Sequence, residues 1–112
     1  MTPREIANLQ LLAYNARDID AFCALFDDQA ELIDLPSSNT IATGIDEIRT
    51  FYEGRFSEPD LQCTVHAHSD IGNFAIDRET VYGLPDSPVD VVAMYEVIED
   101  KIQRVFFIRH NN

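Results

Sequence analysis

One carboxylate of this chain occupies a position suited to acid/base chemistry. Asp34 ends the apolar run AELID and is followed closely by Pro36, which turns the chain. In an extended strand it shares a face with Ala30 and Leu32. If that face is buried, Asp34 lies at the wall of an apolar pocket, where a desolvated carboxylate can serve as a general base. The alternative is a solvated acid that supports the turn through its side chain.

Other polar side chains are weaker candidates for the same pocket. Asp90 shares a strand face with Val92 and Met94, so it could add an acid to the pocket wall; alternatively, it only solvates the entry to its strand. Tyr14, in the first predicted helix, is either a hydrogen-bond donor to a ligand or a core aromatic.

Two histidines raise the question of a metal. His66 and His68 are two residues apart in a predicted strand and would share a face, which suits two metal ligands. No third ligand is signalled nearby, and a polar strand face explains both residues. The sequence also lacks a glycine-rich phosphate loop, a nucleophile elbow and a Cys/His metal spacing. We therefore expect neither a metal nor another cofactor.

Composition limits the classes of partner. The chain has 112 residues, a length expected to form a single domain over 1–112, and 46% of them are hydrophobic. Its net charge of −12 would repel nucleic acid and anionic membrane surfaces. No window approaches the roughly 20 apolar residues of a membrane span, and two cysteines make no disulfide framework. We expect a cytoplasmic protein that binds neither nucleic acid nor membrane.

Helical signals dominate the first half of the chain. Thr2-Pro3-Arg4-Glu5 has the form of a capping box and predicts a helix from about 3 to 16. Asp18 can cap a second helix that includes Phe26 and ends near 27–28. A short strand is predicted at 30–35, followed by a third helix with Thr43 as N-cap and Gly54 near its end.

Strand signals dominate the second half, with runs at about 61–68, 72–82, 89–98 and 101–109. Helices followed by strands indicate an α+β fold, in which helices pack on one face of a mostly antiparallel sheet. The last two strands are apolar on both faces, as Val91 and Val92 or Phe106 and Phe107 illustrate. Because a half-covered sheet should alternate with polar residues, we expect a homodimer that covers the outer sheet face.

Two stretches carry a family resemblance: YNARDIDAFCALFDDQAELIDLP and ATGIDEIRTFY. With the order of elements, they resemble the nuclear transport factor 2-like superfamily, especially its ketosteroid isomerase and SnoaL-like polyketide cyclase branches. The resemblance implies a cone, in which a curved sheet wraps around the helices and leaves an apolar pocket at the open end. It also implies dimerisation through the outer sheet face.

Compared with ketosteroid isomerase, the stretch from Asp18 to Pro36 matches without a gap. The resemblance implies that Asp34 is the proton-shuttling aspartate and that Tyr52 is a pocket tyrosine. Gln10 and Val92 take the places of the two oxyanion donors, a tyrosine and a neutral carboxylic acid. The expected ligand-binding residues are Gln10, Tyr14, Phe26, Tyr52, Asp90, Val92, Met94 and Phe107.

The expected function is binding of a small apolar molecule, with cofactor-free proton transfer by Asp34 on a ring-containing substrate. Two alternatives stay open at this point. The pocket could hold a hydrophobic ligand without converting it, or the protein could be a dimeric association module with a vestigial pocket.

Overall fold

Helices and a single sheet make up the described part of the chain. The computed structural model describes residues Met1–Asn111. Its elements are α1 (Pro3–Ala16), α2 (Ile19–Cys23), β1 (Phe26–Asp34), β2 (Thr40–Thr43), α3 (Ile45–Phe56), β3 (Gln62–Ile71), β4 (Phe74–Tyr82), β5 (Val89–Ile98) and β6 (Lys101–Asn111). The predicted α+β architecture, a curved open sheet with helices on one face, is confirmed. Within these residues, no helix is both long and apolar enough to span a membrane.

The sheet order is β2-β1-β6-β5-β4-β3. Within the described chain every neighbouring pair is antiparallel except β1 and β6, which run parallel. β6 therefore lies inside the sheet, between β5 and β1, although it is the last strand in sequence. This placement brings the end of β1 alongside β6, with Asp34 paired to Phe107.

Local and long-range contacts both fix α1. Thr2 accepts a hydrogen bond from the backbone N–H of Glu5, and the Glu5 carboxylate accepts one from the backbone of Thr2, as the predicted capping box requires. The Arg4 guanidinium then contacts Asp70 and Asp77, each at 2.7 Å. Asp77 is only 2% exposed. The two ion pairs of Arg4 therefore hold the start of α1 against β3, through Asp70, and against β4, through Asp77.

The second helix is shorter than predicted. It ends at Cys23, and Phe26 begins β1 instead of extending the helix to 27–28. The cause is tertiary, since Phe26 pairs with Ile102 of β6 and packs on Phe22 with ring centroids 5.1 Å apart. β1 is accordingly longer than the predicted strand at 30–35.

The N-cap of the third helix lies one residue later than predicted, at Gly44 instead of Thr43. Gly44, with a φ of 84°, is the N-cap, and no side chain caps the helix there. Thr43 instead closes the short strand β2, which the sequence did not predict, and its backbone N–H donates to Glu47 Oε1 at 2.9 Å. The carboxylate of Glu47, in the first turn of the helix, thus ties the end of β2 to the start of α3.

The two faces of the sheet differ in what covers them. The helices bury the inner face, on which β5 presents its fully apolar set: Val89, Val91, Ala93, Tyr95 and Val97. The outer face carries half-buried or exposed apolar side chains: Ile33, Ile76, Val92, Met94, Phe106 and Ile108. This second apolar surface matches the two-sided character predicted for β5 and β6.

Candidate functional site

A cavity lies between α1, α3, β2 and the inner face of β3 to β6. The cavity is narrow, with a volume of about 40 Å³, and it opens to solvent at its mouth. The lining combines aromatic, aliphatic and ionisable side chains: Gln10, Tyr14, Ile41, Phe51, Tyr52, Arg55, Cys63, Glu79, Val81, Val91, Tyr95, Phe107 and Arg109. Apolar walls with a few polar groups are typical of small-molecule sites.

Strand register fixes the relative positions of two charged residues in the wall. Glu79 of β4 pairs with Val91 of β5, and Val91 pairs in turn with Arg109 of β6. Because neighbouring strands lie about 4.8 Å apart, the Cα atoms of Glu79 and Arg109 are separated by roughly 10 Å. A carboxylate and a guanidinium therefore face one cavity across a short aliphatic side chain.

Contacts between α1 and β3 hold the far side of the cavity in place. The Asn15 amide donates to the Cys63 carbonyl at 3.0 Å and accepts from the Cys63 N–H at 2.8 Å. These two hydrogen bonds fix the end of α1 against the strand. The neighbouring Tyr14 ring packs edge-on against Tyr52, with centroids 6.2 Å apart. The two phenols of α1 and α3 thus occupy fixed positions in the lining.

Glu79 brings a buried carboxylate to the cavity lining. It is 7% exposed and forms no ion pair with a described residue. Burial raises its pKa to about 7, a hydrogen bond from the Cys63 thiol lowers it in part, and the charge of Asp77 raises it further. Near neutral pH this side chain can both accept and release a proton.

Three tyrosines line the same cavity as Glu79. Burial raises the pKa of Tyr14 to about 12, while Arg55 lowers it in part through a hydrogen bond and its charge. Burial also raises the pKa values of Tyr52 and Tyr95, and the charge of Glu79 contributes to each increase. All three hydroxyls remain protonated at neutral pH, so each can donate a hydrogen bond to a bound oxygen.

Two of these hydroxyls are available to a ligand. The structure gives Tyr52 and Tyr95 no hydroxyl hydrogen bond to a described residue, and no fully buried side-chain oxygen in this part of the chain lacks a partner. The hydroxyl oxygens must therefore retain some exposure. Since both tyrosines line the cavity, this exposure is towards the cavity space.

Four of the predicted site residues meet in this cavity: Gln10, Tyr14, Tyr52 and Phe107. Asp34 is not among the lining residues. It pairs with Phe107 across β1 and β6 and is half-buried, but its carboxylate accepts hydrogen bonds from the backbone N–H and the hydroxyl of Ser37. Asp34 therefore closes the turn after β1, as the alternative interpretation of its position states.

The other four predicted binding residues lie elsewhere, and their predicted position at the cavity wall is corrected. Phe26 packs in the aromatic core beside Phe22. Asp90, Val92 and Met94 face the outer side of the sheet, because β5 turns its entirely apolar set towards the helices. Asp90 there accepts a hydrogen bond from the Thr80 hydroxyl at 2.9 Å.

The two histidines do not share a face. The register of β3 against β4 shifts between Val65 and Ala67, so that the bulge separates His66 from His68. His66 Nε2 hydrogen-bonds Thr80 Oγ1 at 2.7 Å on the outer face, whereas His68 pairs with Asp77. Within the described residues, no group of three or more His, Cys, Asp or Glu side chains could hold a metal ion.

Sequence reasoning missed the ionisable residues that line the cavity. On β4 the alternation is misleading, because the set containing Asp77 and Glu79 faces inward while Phe74 and Ile76 face outward. The orientation of β4 could have been inferred from its neighbour β5, because β5 has one entirely apolar face and that face is the buried one. Pairing that face with β4 would have placed Glu79 inside.

Comparisons with known proteins agree with this architecture. The family model described as SnoaL-like domain matches residues 9–105. A cystatin fold protein from Novosphingobium aromaticivorans superposes with a TM-score of 0.90 at 28% identity, covering 97% of this chain and 99% of the other. A search of curated proteins finds no match.

Two solved structures at lower identity share the fold. A candidate ketosteroid isomerase from Kribbella flavida has a TM-score of 0.83 at 23% identity, covering 98% of this chain and 78% of the other. A candidate polyketide cyclase from Sinorhizobium meliloti has a TM-score of 0.80 at 21% identity, covering 93% and 94%. With the family model spanning most of its length, the chain belongs to the SnoaL-like domain family.

Proposed function

We propose that this protein catalyses cofactor-free proton transfer at a carbon next to a carbonyl group, on a small ring-containing substrate bound in the cavity. The observation that carries the proposal is Glu79, a buried carboxylate without a cation partner among the described residues, with a pKa of about 7. A general base is most effective when its pKa lies near the working pH. The fold shared with a candidate ketosteroid isomerase and a candidate polyketide cyclase supports the same reaction class.

In the proposed step, the substrate C–H bond breaks and its proton passes to the Glu79 carboxylate. The electron pair moves onto the carbonyl oxygen and creates an enolate. The Tyr52 and Tyr95 hydroxyls, which carry their protons, can donate to that oxygen. Glu79 then returns the proton to a carbon of the enolate, so that the reaction is balanced without an oxidant or a metal.

Tyr14 is proposed as a third donor, strengthened by its neighbour. Burial raises the pKa of Tyr14, and the charge of the neighbouring Arg55 lowers it in part. Because a guanidinium can only donate hydrogen bonds, it does not compete for the phenol proton, which can point to the ligand. These tyrosines would take over the oxyanion role for which Gln10 and Val92 offered no acidic hydroxyl.

The experiment is deuterium exchange of a ring ketone. With 2-tetralone in D₂O, NMR follows the loss of the hydrogens next to the carbonyl in the presence of the wild-type protein, Glu79→Gln and Asp34→Asn. We expect catalysed exchange in the wild type, a loss of about 100-fold or more in Glu79→Gln, and near-normal exchange in Asp34→Asn. The rate should increase with pH and level off above about pH 7, where Glu79 is ionised.

The paired variants separate the two carboxylates. Loss of exchange in Asp34→Asn, with normal exchange in Glu79→Gln, would return the base role to Asp34 as the family resemblance implies. Equal catalysed exchange in all three proteins would contradict both assignments. No exchange above the uncatalysed rate in the wild type would make a binding protein that holds its ligand unchanged the better description.

We also propose that the protein is a homodimer. The support is the outer sheet face, where Val92, Met94 and Phe106 are only half-buried and Ile108 is 41% exposed. Contiguous apolar surface of this kind is uncommon on monomers unless it binds a partner. A second copy of the same face would cover it without closing the cavity, which opens on the opposite side of the sheet.

A further inference from the structure

Two arginines line the cavity of a protein whose net charge is −12. Arg55 of α3 stacks on Phe51, with its guanidinium carbon 4.9 Å from the ring centroid. Arg109 lies on the inner face of β6, opposite Val91. Neither forms an ion pair with a carboxylate of the described residues. In a chain with 20 acidic residues, two such cations in one cavity call for an explanation.

The two guanidiniums are not paired with the proposed base, since neither forms an ion pair with Glu79 among the described residues. Burial raises the pKa of Tyr52, and the charges of Arg55 and Arg109 lower it in part. Both positive charges therefore act on the Tyr52 hydroxyl. With Arg109 and Glu79 roughly 10 Å apart at their Cα atoms, a molecule of a few atoms in length can reach both groups.

We infer that the substrate carries a carboxylate that is held by Arg55 and Arg109. The carbon that gives its proton to Glu79 lies at the other end of the substrate. This substrate class rests on the proposed function. A planar guanidinium matches a carboxylate through paired N–H donors. A singly charged group is also a better match than a dianion, because the remainder of the protein surface is strongly negative.

The test measures binding separately from turnover. Phenylacetate and phenylacetamide have the same ring and nearly the same shape but differ in charge. Titration of each, followed by amide chemical shifts, should show at least about tenfold tighter binding of phenylacetate. In the double variant Arg55→Met and Arg109→Met this preference should disappear, while the affinity for the amide changes little. Arg78→Met, on the exposed outer face, is the matched control and should keep the preference.

Each result bears on the inference. Equal binding of both probes, no binding of either at millimolar concentration, or an unchanged preference in the double variant would overturn it. Tighter binding of benzylphosphonate than of phenylacetate would overturn the assignment to a carboxylate. The preference should persist in Glu79→Gln. A preserved preference without catalysed exchange of the hydrogens next to the ketone of phenylpyruvate, which carries a ring, a ketone and a carboxylate, would reject the proposed proton transfer alone. Catalysed exchange without the preference would reject only the carboxylate.

Discussion

The replacement Glu79→Gln should stabilise the protein, and by an amount that depends on pH. The side chain keeps its shape but loses the charge that burial disfavours. In the unfolded chain Glu79 ionises near its usual pKa of 4.5, whereas in the folded protein it does so near 7. Between these values the folded state holds the proton more tightly. The stability of the wild type therefore decreases as the pH rises from about 4.5 to about 7, then levels off.

The size of this effect follows from the two pKa values. A rise from 4.5 to about 7 corresponds to about 3 kcal/mol lost from the free energy of unfolding above pH 7. The Glu79→Gln variant lacks this loss. Its stability relative to the wild type should therefore increase by up to about 3 kcal/mol between pH 4.5 and pH 8. If the glutamine does not replace the hydrogen bond from Cys63, the variant loses the same stability at pH 4.5 and at pH 8. The change in relative stability between these two pH values then stays the same.

Urea unfolding at several pH values, followed by circular dichroism, measures the difference directly. Glu53→Gln, the same replacement at an exposed position on α3, is the matched control for the loss of one carboxylate from the chain. If the stability difference between Glu79→Gln and the wild type is the same at pH 4.5 and pH 8, Glu79 does not titrate between them. The proposed base would then lose its physical foundation.

Further outcomes are expected on the same structure. Sedimentation at micromolar concentration should give a dimer, and Val92→Arg on the outer face should give the monomer of 12.7 kDa. Arg4→Met leaves Asp77 buried without its partner and should cost about 3 to 5 kcal/mol in urea unfolding. Gly83→Ala, at a φ of 88° and against the backbone of a neighbouring loop, should cost more than about 1 kcal/mol. Gly54→Ala, with open space around it, should instead stabilise α3 by roughly 0.5 to 1 kcal/mol. Treatment with a chelator should leave the melting temperature unchanged.

Local signals in the sequence predicted much of the fold. The capping box of Thr2 and Glu5 fixes the start of α1 within four residues, and the long alternating runs of β5 and β6 extend over ten or more positions. Elements decided by distant partners were harder to predict. Phe26 continues the helical pattern of α2, yet its pairing with Ile102 makes it the start of β1. Nothing within the neighbouring residues distinguishes the two outcomes.

The site was less predictable, because orientation matters more there than element type. In β5 both alternating sets are mostly apolar, so that Val92 and Met94 were assigned to the wrong face. In β4 the inward set includes Asp77 and Glu79, which hydrophobicity alone would turn towards solvent. Asp77 is tolerated inside because Arg4, 73 positions earlier, pairs with it. Such compensation is visible only once the chain has folded.

The position of β6 inside the sheet also constrains when the protein can fold. During synthesis β1 emerges early, but its parallel partner is completed only near residue 111. Until then β1 and β5 both present unpaired backbone groups on their edges to other chains. The sheet must therefore close after translation of almost the entire described chain, and through a contact between distant segments, which slows folding. Nascent or truncated chains that end before β6 should be prone to aggregation, because the strand that would shield both edges is missing.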